Sequence, residues 1–206
     1  SLSANQNNPN KQYNLSMIYF YGKYVKKDNN KHIYYLSLAA NQNNSEAQYT
    51  LGYLYYNGYM VPKNKNKALF YYSLASENNN ANGNFSMGFI YHEGKYIKKD
   101  IDKAIHYYKE ASNFYNQYAK NNLGIIYKNG FEEKIQKNVF LAIEYFKEAI
   151  RIDNDPASMY NLAHLYLYEK QFNNCIDESI KLLMELYGNF FESKPLILLS
   201  LAFIDK

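Results

Sequence analysis

The chain has 206 residues, 47% of them apolar, and a formal net charge of +4, which gives enough core to exclude wholesale disorder. Its single cysteine, Cys175, excludes an internal disulfide framework and any zinc site built from several thiols. The longest apolar run, nine residues from Leu196 to Ile204 if Ser200 is admitted, is too short to cross a bilayer, and no basic-then-apolar leader opens the chain.

A period of 36 residues organises the sequence. Gly22, Gly58, Gly94 and Gly130 are spaced by 36, as are Gly52, Gly88 and Gly124, with Ser16 in the corresponding slot of the first repeat. Ala39, Ala75 and Ala111 keep the same step. The predicted repeats are 9–44, 45–80, 81–116, 117–154 and 155–190, with a partial sixth or a capping helix over 191–206.

Each repeat reads as two helices. Repeat one carries N-L-S-M-I-Y-F-Y-G and then H-I-Y-Y-L-S-L-A-A, so His32 and Leu36 stand where later repeats have Ala and an aromatic residue. Repeat two shows the pattern in full. Ala47, Leu51, Gly52 and Tyr55 fall at helical spacing, and Gly58 follows where a left-handed terminator is expected. A polar loop with Pro62 and Lys63 leads to a second helix striped by Ala68, Tyr71, Tyr72 and Ala75, and Asn78 to Asn80 break the chain. Repeat three restates both helices around Gly88, Gly94 and Ala104. Repeat four keeps Gly124, Gly130 and Ala142 but has two extra residues between its halves. Repeat five is degenerate: Leu162, Ala163 and Tyr166 hold, Glu169 replaces the terminating glycine, and Ser179, Leu182, Leu183 and Leu186 fill the second-helix positions. Pro195 to Phe203 looks like the first helix of a sixth repeat, so the chain reads as a piece of a longer array.

A glycine inside a helix costs about 1 kcal/mol relative to alanine. Gly52, Gly88 and Gly124 are therefore expected to admit the aromatic pair of the second helix onto the first helix's backbone. One hairpin of this size cannot bury its own stripe, whereas stacked copies can. The expected fold is all-α: a right-handed α-solenoid superhelix of antiparallel helix pairs forming one domain over residues 1–206.

The columns A-x-x-x-L-G-x-x-Y-x-x-G and K-A-x-x-Y-Y-x-x-A resemble the Sel-one-like repeat family, relatives of tetratricopeptide repeats, over about residues 9 to 190. That resemblance implies a non-enzymatic scaffold holding partner proteins together. A narrower likeness starts at Ser158-Met159-Tyr160-Asn161-Leu162-Ala163-His164, in a glycine-poor repeat containing Cys175. It is similar to the decaying middle repeats of adaptors in endoplasmic-reticulum-associated degradation. This implies an ER-lumenal place, with a membrane ubiquitin ligase subunit, a lectin or a misfolded client as partners; other members of the family imply signalling or trafficking scaffolds, with a cytoplasmic location.

Helix geometry assigns an inner groove. If Leu and Gly of each pair turn to the partner helix, three other positions per first helix face away from it. These are Tyr13, Met17 and Phe20; Tyr49, Tyr53 and Tyr56; Phe85, Phe89 and His92; then Asn121, Ile125 and Lys128; and Tyr160, His164 and Leu167. The aromatic residues of the first three sets are expected to form a surface for an extended or helical peptide, because Tyr combines a large rigid area with a polar tip. Packing between neighbouring repeats is the competing use of the same side chains.

Lysines also align: Lys27, Lys63 and Lys99, then Lys31, Lys67 and Lys103. A basic edge of this kind suits nucleic acid or anionic lipid. Arg is nearly absent and Asp28, Asp100 and Asp102 intervene, so a solvated edge is the expectation and no nucleic-acid partner is expected. The abundance of Asn, Lys and Tyr by itself carries no argument, since all three share A/T-rich codons.

No catalytic, cofactor or metal site is expected. His32, His92, His106 and His164 lack ligand spacing, and His92-Glu93 lacks the second histidine of a zincin motif. Cys175 reads as a small structural residue. Sequons at Asn14, Asn43 and Asn84 are near the number chance supplies. Self-association through apolar helix faces at the array ends completes the expectations.

Overall fold

The computed structural model describes residues 8–132, 134–169 and 175–190. Among the described residues ten α-helices occur, and the chain divides into two compact units, Ser1–Phe114 and Tyr115–Lys206. The first holds α1 (Pro9–Tyr21), α2 (Asn29–Asn41), α3 (Ser45–Asn57), α4 (Lys65–Glu77), α5 (Ala81–Glu93) and α6 (Ile101–Asn113). The second holds α7 (Gln117–Asn129), α8 (Val139–Asp153), α9 (Pro156–Tyr168) and α10 (Cys175–Phe190). The expected partial repeat over 191–206 lies outside the described residues.

Consecutive helices pack as hairpins: α1 on α2, α3 on α4 and α5 on α6 in the first unit, α7 on α8 and α9 on α10 in the second. Hairpins join through α2 on α3, α4 on α5 and α8 on α9. The asparagine-rich sequence sets where these helices begin. At α1 to α9 the N-cap is Asn8, Asp28, Asn44, Asn64, Asn80, Asp100, Asn116, Asn138 and Asp155, and each side chain accepts a hydrogen bond from an N–H in the first turn. Position thus gives many asparagines a structural use that composition does not reveal. Asn43, Asn79 and Asn154 also take the left-handed backbone between hairpins, at φ 61°, 58° and 44°.

First helices end as expected. Gly22, Gly58 and Gly94 are left-handed and donate their N–H to Ile18, Leu54 and Ile90 carbonyls. A Cβ on any of them would press on Lys27, Lys63 or Lys99, whose backbone folds over the glycine. Gly130 differs, with ψ 178°, because repeat four closes its two-residue insertion by an antiparallel bridge between Phe131 and Ile135.

The core of each hairpin depends on the interior glycine. A Cβ added to Gly52 would stand 2.5 Å from Tyr72, on Gly88 2.7 Å from Tyr108, and on Gly124 2.5 Å from Phe146. Of each aromatic pair it is the second member that lies on the glycine. The first member stacks on a tyrosine of the first helix: Tyr19–Tyr35, Tyr55–Tyr71, Tyr91–Tyr107 and Tyr127–Tyr145, with ring planes within 8° of parallel. Where the glycine slot holds a larger residue, the facing residue is smaller: Ser16 faces Leu36, and Ala163 faces Leu183, all fully buried. In those same two hairpins the small Ala of the second helix (Ala68, Ala104, Ala142) is replaced by a polar residue. His32 Nδ1 lies 3.0 Å from the Ser16 carbonyl, and Ser179 Oγ lies 3.1 Å from the Ala163 carbonyl. The departures of repeats one and five are therefore a second, internally consistent packing solution.

Candidate functional site

The nine groove candidates of repeats one to three all lie on first helices of the first unit. Tyr13, Met17 and Phe20 are half-buried on α1; Tyr49 and Tyr56 are half-buried and Tyr53 exposed on α3; Phe85 and His92 are half-buried and Phe89 exposed on α5. Five of them come together. Tyr49, Tyr53, Tyr56, Phe85 and Phe89, joined by Asn57, Tyr72, Ser86 and Ile90, line a pocket of about 200 Å³ between α3 and α5.

The pocket is aromatic from floor to mouth. Tyr72 forms the floor, 96% shielded from solvent, with Tyr49 and Tyr56 ring centroids 6.0 and 6.2 Å from its own. Tyr53 and Phe89 stand at the mouth, 48% and 37% exposed. Tyr56 also meets Tyr96 edge-on at 5.4 Å. Phe85 lies 6.4 Å from Phe89 and 5.9 Å from Tyr108. Burial is the main cause that holds the Tyr49, Tyr56 and Tyr72 hydroxyls above their ordinary pKa, so all three stay protonated at neutral pH.

The other four candidates do not join this pocket. Tyr13 packs against the core of Leu36, Ala40, Ala47 and Leu51, which is the inter-repeat use weighed for these residues. Phe20 lies 5.1 Å from His32, and Lys27 Nζ sits 5.3 Å above its ring. His92 Nδ1 lies 3.4 Å from Tyr108 Oη, and burial, then Lys99, lowers its pKa. Sequence reasoning missed Tyr72 as a pocket residue, because its place in the stripe reads as core; the residue serves both. Ser86, Asn57 and Ile90 carried no signal of their own.

In the second unit the corresponding columns are used differently. Asn121 is buried, not groove-lining: its Oδ1 accepts from Ser158 Oγ at 3.1 Å and Asn161 Nδ2 at 2.9 Å, tying α7 to α9. Ile125 packs into the core around Phe146. His164 stands between Tyr160 and Tyr168, its pKa lowered first by burial and then by Lys128.

One of the two lysine columns has partners within its own repeat. Lys31, Lys67 and Lys103 Nζ sit 5.0, 4.9 and 5.1 Å above the Tyr19, Tyr55 and Tyr91 rings. Lys31 and Lys103 also approach Asp28 and Asp100, the capping carboxylates of their helices, at 3.9 and 4.0 Å. No cluster of three or more potential metal ligands occurs among the described residues, and none of their helices is long and apolar enough to cross a membrane. Of the sequons, Asn14 and Asn43 are exposed, whereas Asn84 is buried and accepts from Ser76 Oγ at 2.6 Å, so the folded chain leaves no room for a glycan there. Cys175 opens α10.

Compared with known families, the sequence matches the Sel1 repeat over residues 12–44, 45–80, 81–113, 117–154 and 156–174. The chain belongs to the Sel1 repeat family. The fifth Sel1 match stops just before α10, where the repeat pattern degenerates into Ser179, Leu182, Leu183 and Leu186. Among curated proteins, none matches the sequence.

Solved Sel1 structures share the architecture. A Sel1 repeat protein from Oxalobacter formigenes superposes with a TM-score of 0.80 at 25% identity, over 89% of this chain and 74% of that one. A protective antigen of uropathogenic Escherichia coli strains, displaying an SLR fold, gives 0.81 at 22% identity, over 90% of this chain and 39% of that one. A putative Sel1 repeat protein from Klebsiella pneumoniae gives 0.59 at 18% identity, covering 98% and 96%. The all-α, helix-pair solenoid class is thereby established. Sel1 repeat proteins are generally non-catalytic scaffolds that bind other proteins.

Proposed function

We propose that this chain is a non-catalytic interaction scaffold that seats a peptide segment of a partner protein along α1, α3 and α5, anchored in the pocket between α3 and α5. The observation that carries this reading is the pocket's mouth. Tyr53 and Phe89 leave large aromatic area in solvent beside a 200 Å³ recess, as anchoring sites for a side chain do. The volume suits one side chain inserted from a chain running over the surface. The lysine edge makes a poorer site, because Lys31, Lys67 and Lys103 already lie on tyrosine rings and Lys27 on Phe20.

Selection of peptides by display on the immobilised chain, followed by affinity measurement, tests the proposal. Tyr53→Ala or Phe89→Ala is expected to weaken the selected peptides at least about tenfold while the melting temperature stays put. Peptides that lose affinity only on Lys63→Ala or Lys99→Ala would overturn it. A narrower form of the proposal, recruitment of misfolded clients to a membrane ubiquitin ligase in the ER lumen, draws its support from Ser158 to His164 alone. Capture of a lectin and ligase subunits with the full-length protein is the test of that form.

A further inference from the structure

We infer that the pocket between α3 and α5 selects a basic side chain, lysine or arginine, from the partner peptide. The inference rests on the peptide-anchoring reading above and names the chemistry of the anchor.

The walls are built mainly of aromatic rings, with a hydrogen-bond acceptor at the rim. Tyr49, Tyr53, Tyr56 and Phe89 supply rings, and a cation is attracted to the face of such rings. Asn57 commits its amide Nδ2 to the Tyr53 carbonyl at 3.0 Å, which leaves the amide oxygen as an acceptor at the rim. Ser86 Oγ donates to the Asn82 carbonyl at 2.7 Å, so the hydroxyl offers no donor to a ligand. An ammonium or guanidinium carries only donors, which this lining complements.

Two carboxylates act on the tyrosines of the pocket. Besides burial and neighbouring tyrosines, Glu46 acts on Tyr49 and Glu93 acts on Tyr56, in both cases raising the hydroxyl pKa. Glu46 is held by Asn80 Nδ2 at 2.7 Å. Lys67 and Lys103 act instead on Tyr71 and Tyr107, outside the pocket lining, and Lys99 acts on His92 one turn along α5. On the first-helix tyrosines Tyr19, Tyr55 and Tyr91 the protein itself places an ammonium over a ring three times. The pocket between α3 and α5 offers the same rings with carboxylates nearby and no ammonium of its own among its lining residues.

The test titrates the whole chain with capped lysine, arginine, norleucine and phenylalanine amides while ring and amide resonances of Tyr53 and Phe89 are followed by NMR. Lysine and arginine compounds should bind saturably, at least about threefold tighter than norleucine, with the difference shrinking at high salt. Glu93→Gln, a change at an exposed position, should weaken lysine about twofold and leave norleucine unchanged. Equal or tighter binding of norleucine or phenylalanine would overturn the basic-anchor inference while keeping the pocket as a peptide anchor. No saturable shift with any of the four would overturn both.

Discussion

Gly52 shows how one absent methyl group organises a hairpin. Tyr72 occupies the space a Cβ would need, so Gly52→Leu should overpack the hairpin and cost about 1–3 kcal/mol, read as a lower melting temperature. A sharper form uses the solution the chain itself adopts at Ser16 and Leu36. Gly52→Ser alone should destabilise, and adding Tyr72→Leu should recover part of the loss, a coupling that a double-mutant cycle measures. Tyr115 offers the opposite opportunity. It holds φ 59° where the equivalent positions are Asn43 and Asn79, and its side chain is 78% exposed. Tyr115→Asn should therefore raise stability by about 0.5–1 kcal/mol in urea denaturation, since asparagine tolerates the left-handed region better. Tyr56 touches both Tyr72 and Tyr96, so its alanine variant should lose stability as well as affinity, and Tyr53 and Phe89 are the cleaner probes of binding.

At the level of helices, the caps are the main determinant of where each element starts. Asn64→Ala removes the acceptor for the Lys67 N–H and should cost about 1 kcal/mol, measurable by chemical denaturation. The helices and their glycine ends were legible in the sequence because Gly, Ala and the aromatic pair recur at a fixed step. The caps were less so, since Asn abundance has a compositional explanation that masks its positional one. The candidate site was half legible. Period picked out the columns that hold Tyr53 and Phe89, which reach solvent. Tyr49, Tyr56 and Phe85 of the same columns lie against Tyr72 or Tyr108 of the partner helix rather than turning away from it. Period could not say that Tyr13 would sink into the core beside Leu36, or that Tyr72 would serve as a floor. Both depend on how far adjacent hairpins approach, which is fixed by side-chain volumes in three dimensions. Asn121 illustrates the same limit, because its partners Ser158 and Asn161 are about forty residues away in sequence.

For the whole molecule, three partly or fully buried histidines set a common pH dependence. Burial is the first cause that lowers the pKa of His32, His92 and His164 below the ordinary 6.5, with Lys27, Lys99 and Lys128 adding to it respectively. The unfolded chain therefore binds more protons than the folded one just below pH 6.5, so stability is full above that value and is lost as the pH falls through it. The melting temperature should drop between pH 7.5 and pH 5, roughly the window in which histidines titrate. His32→Ala should shrink that drop whatever its effect on the absolute melting temperature, and an unchanged drop would assign the dependence to the other two histidines.

The matched volumes facing each other within a hairpin also constrain how such a gene can be cut and rejoined. A crossover in the asparagine-rich junctions exchanges intact pairs, such as Gly88 with Tyr108 or Ser16 with Leu36. A crossover in the loop between two helices would bring a serine against a tyrosine, or a glycine against a leucine, leaving either a clash or a void. The hairpin is consequently the smallest piece that chimeras, or recombination in a lineage, can trade without repair elsewhere.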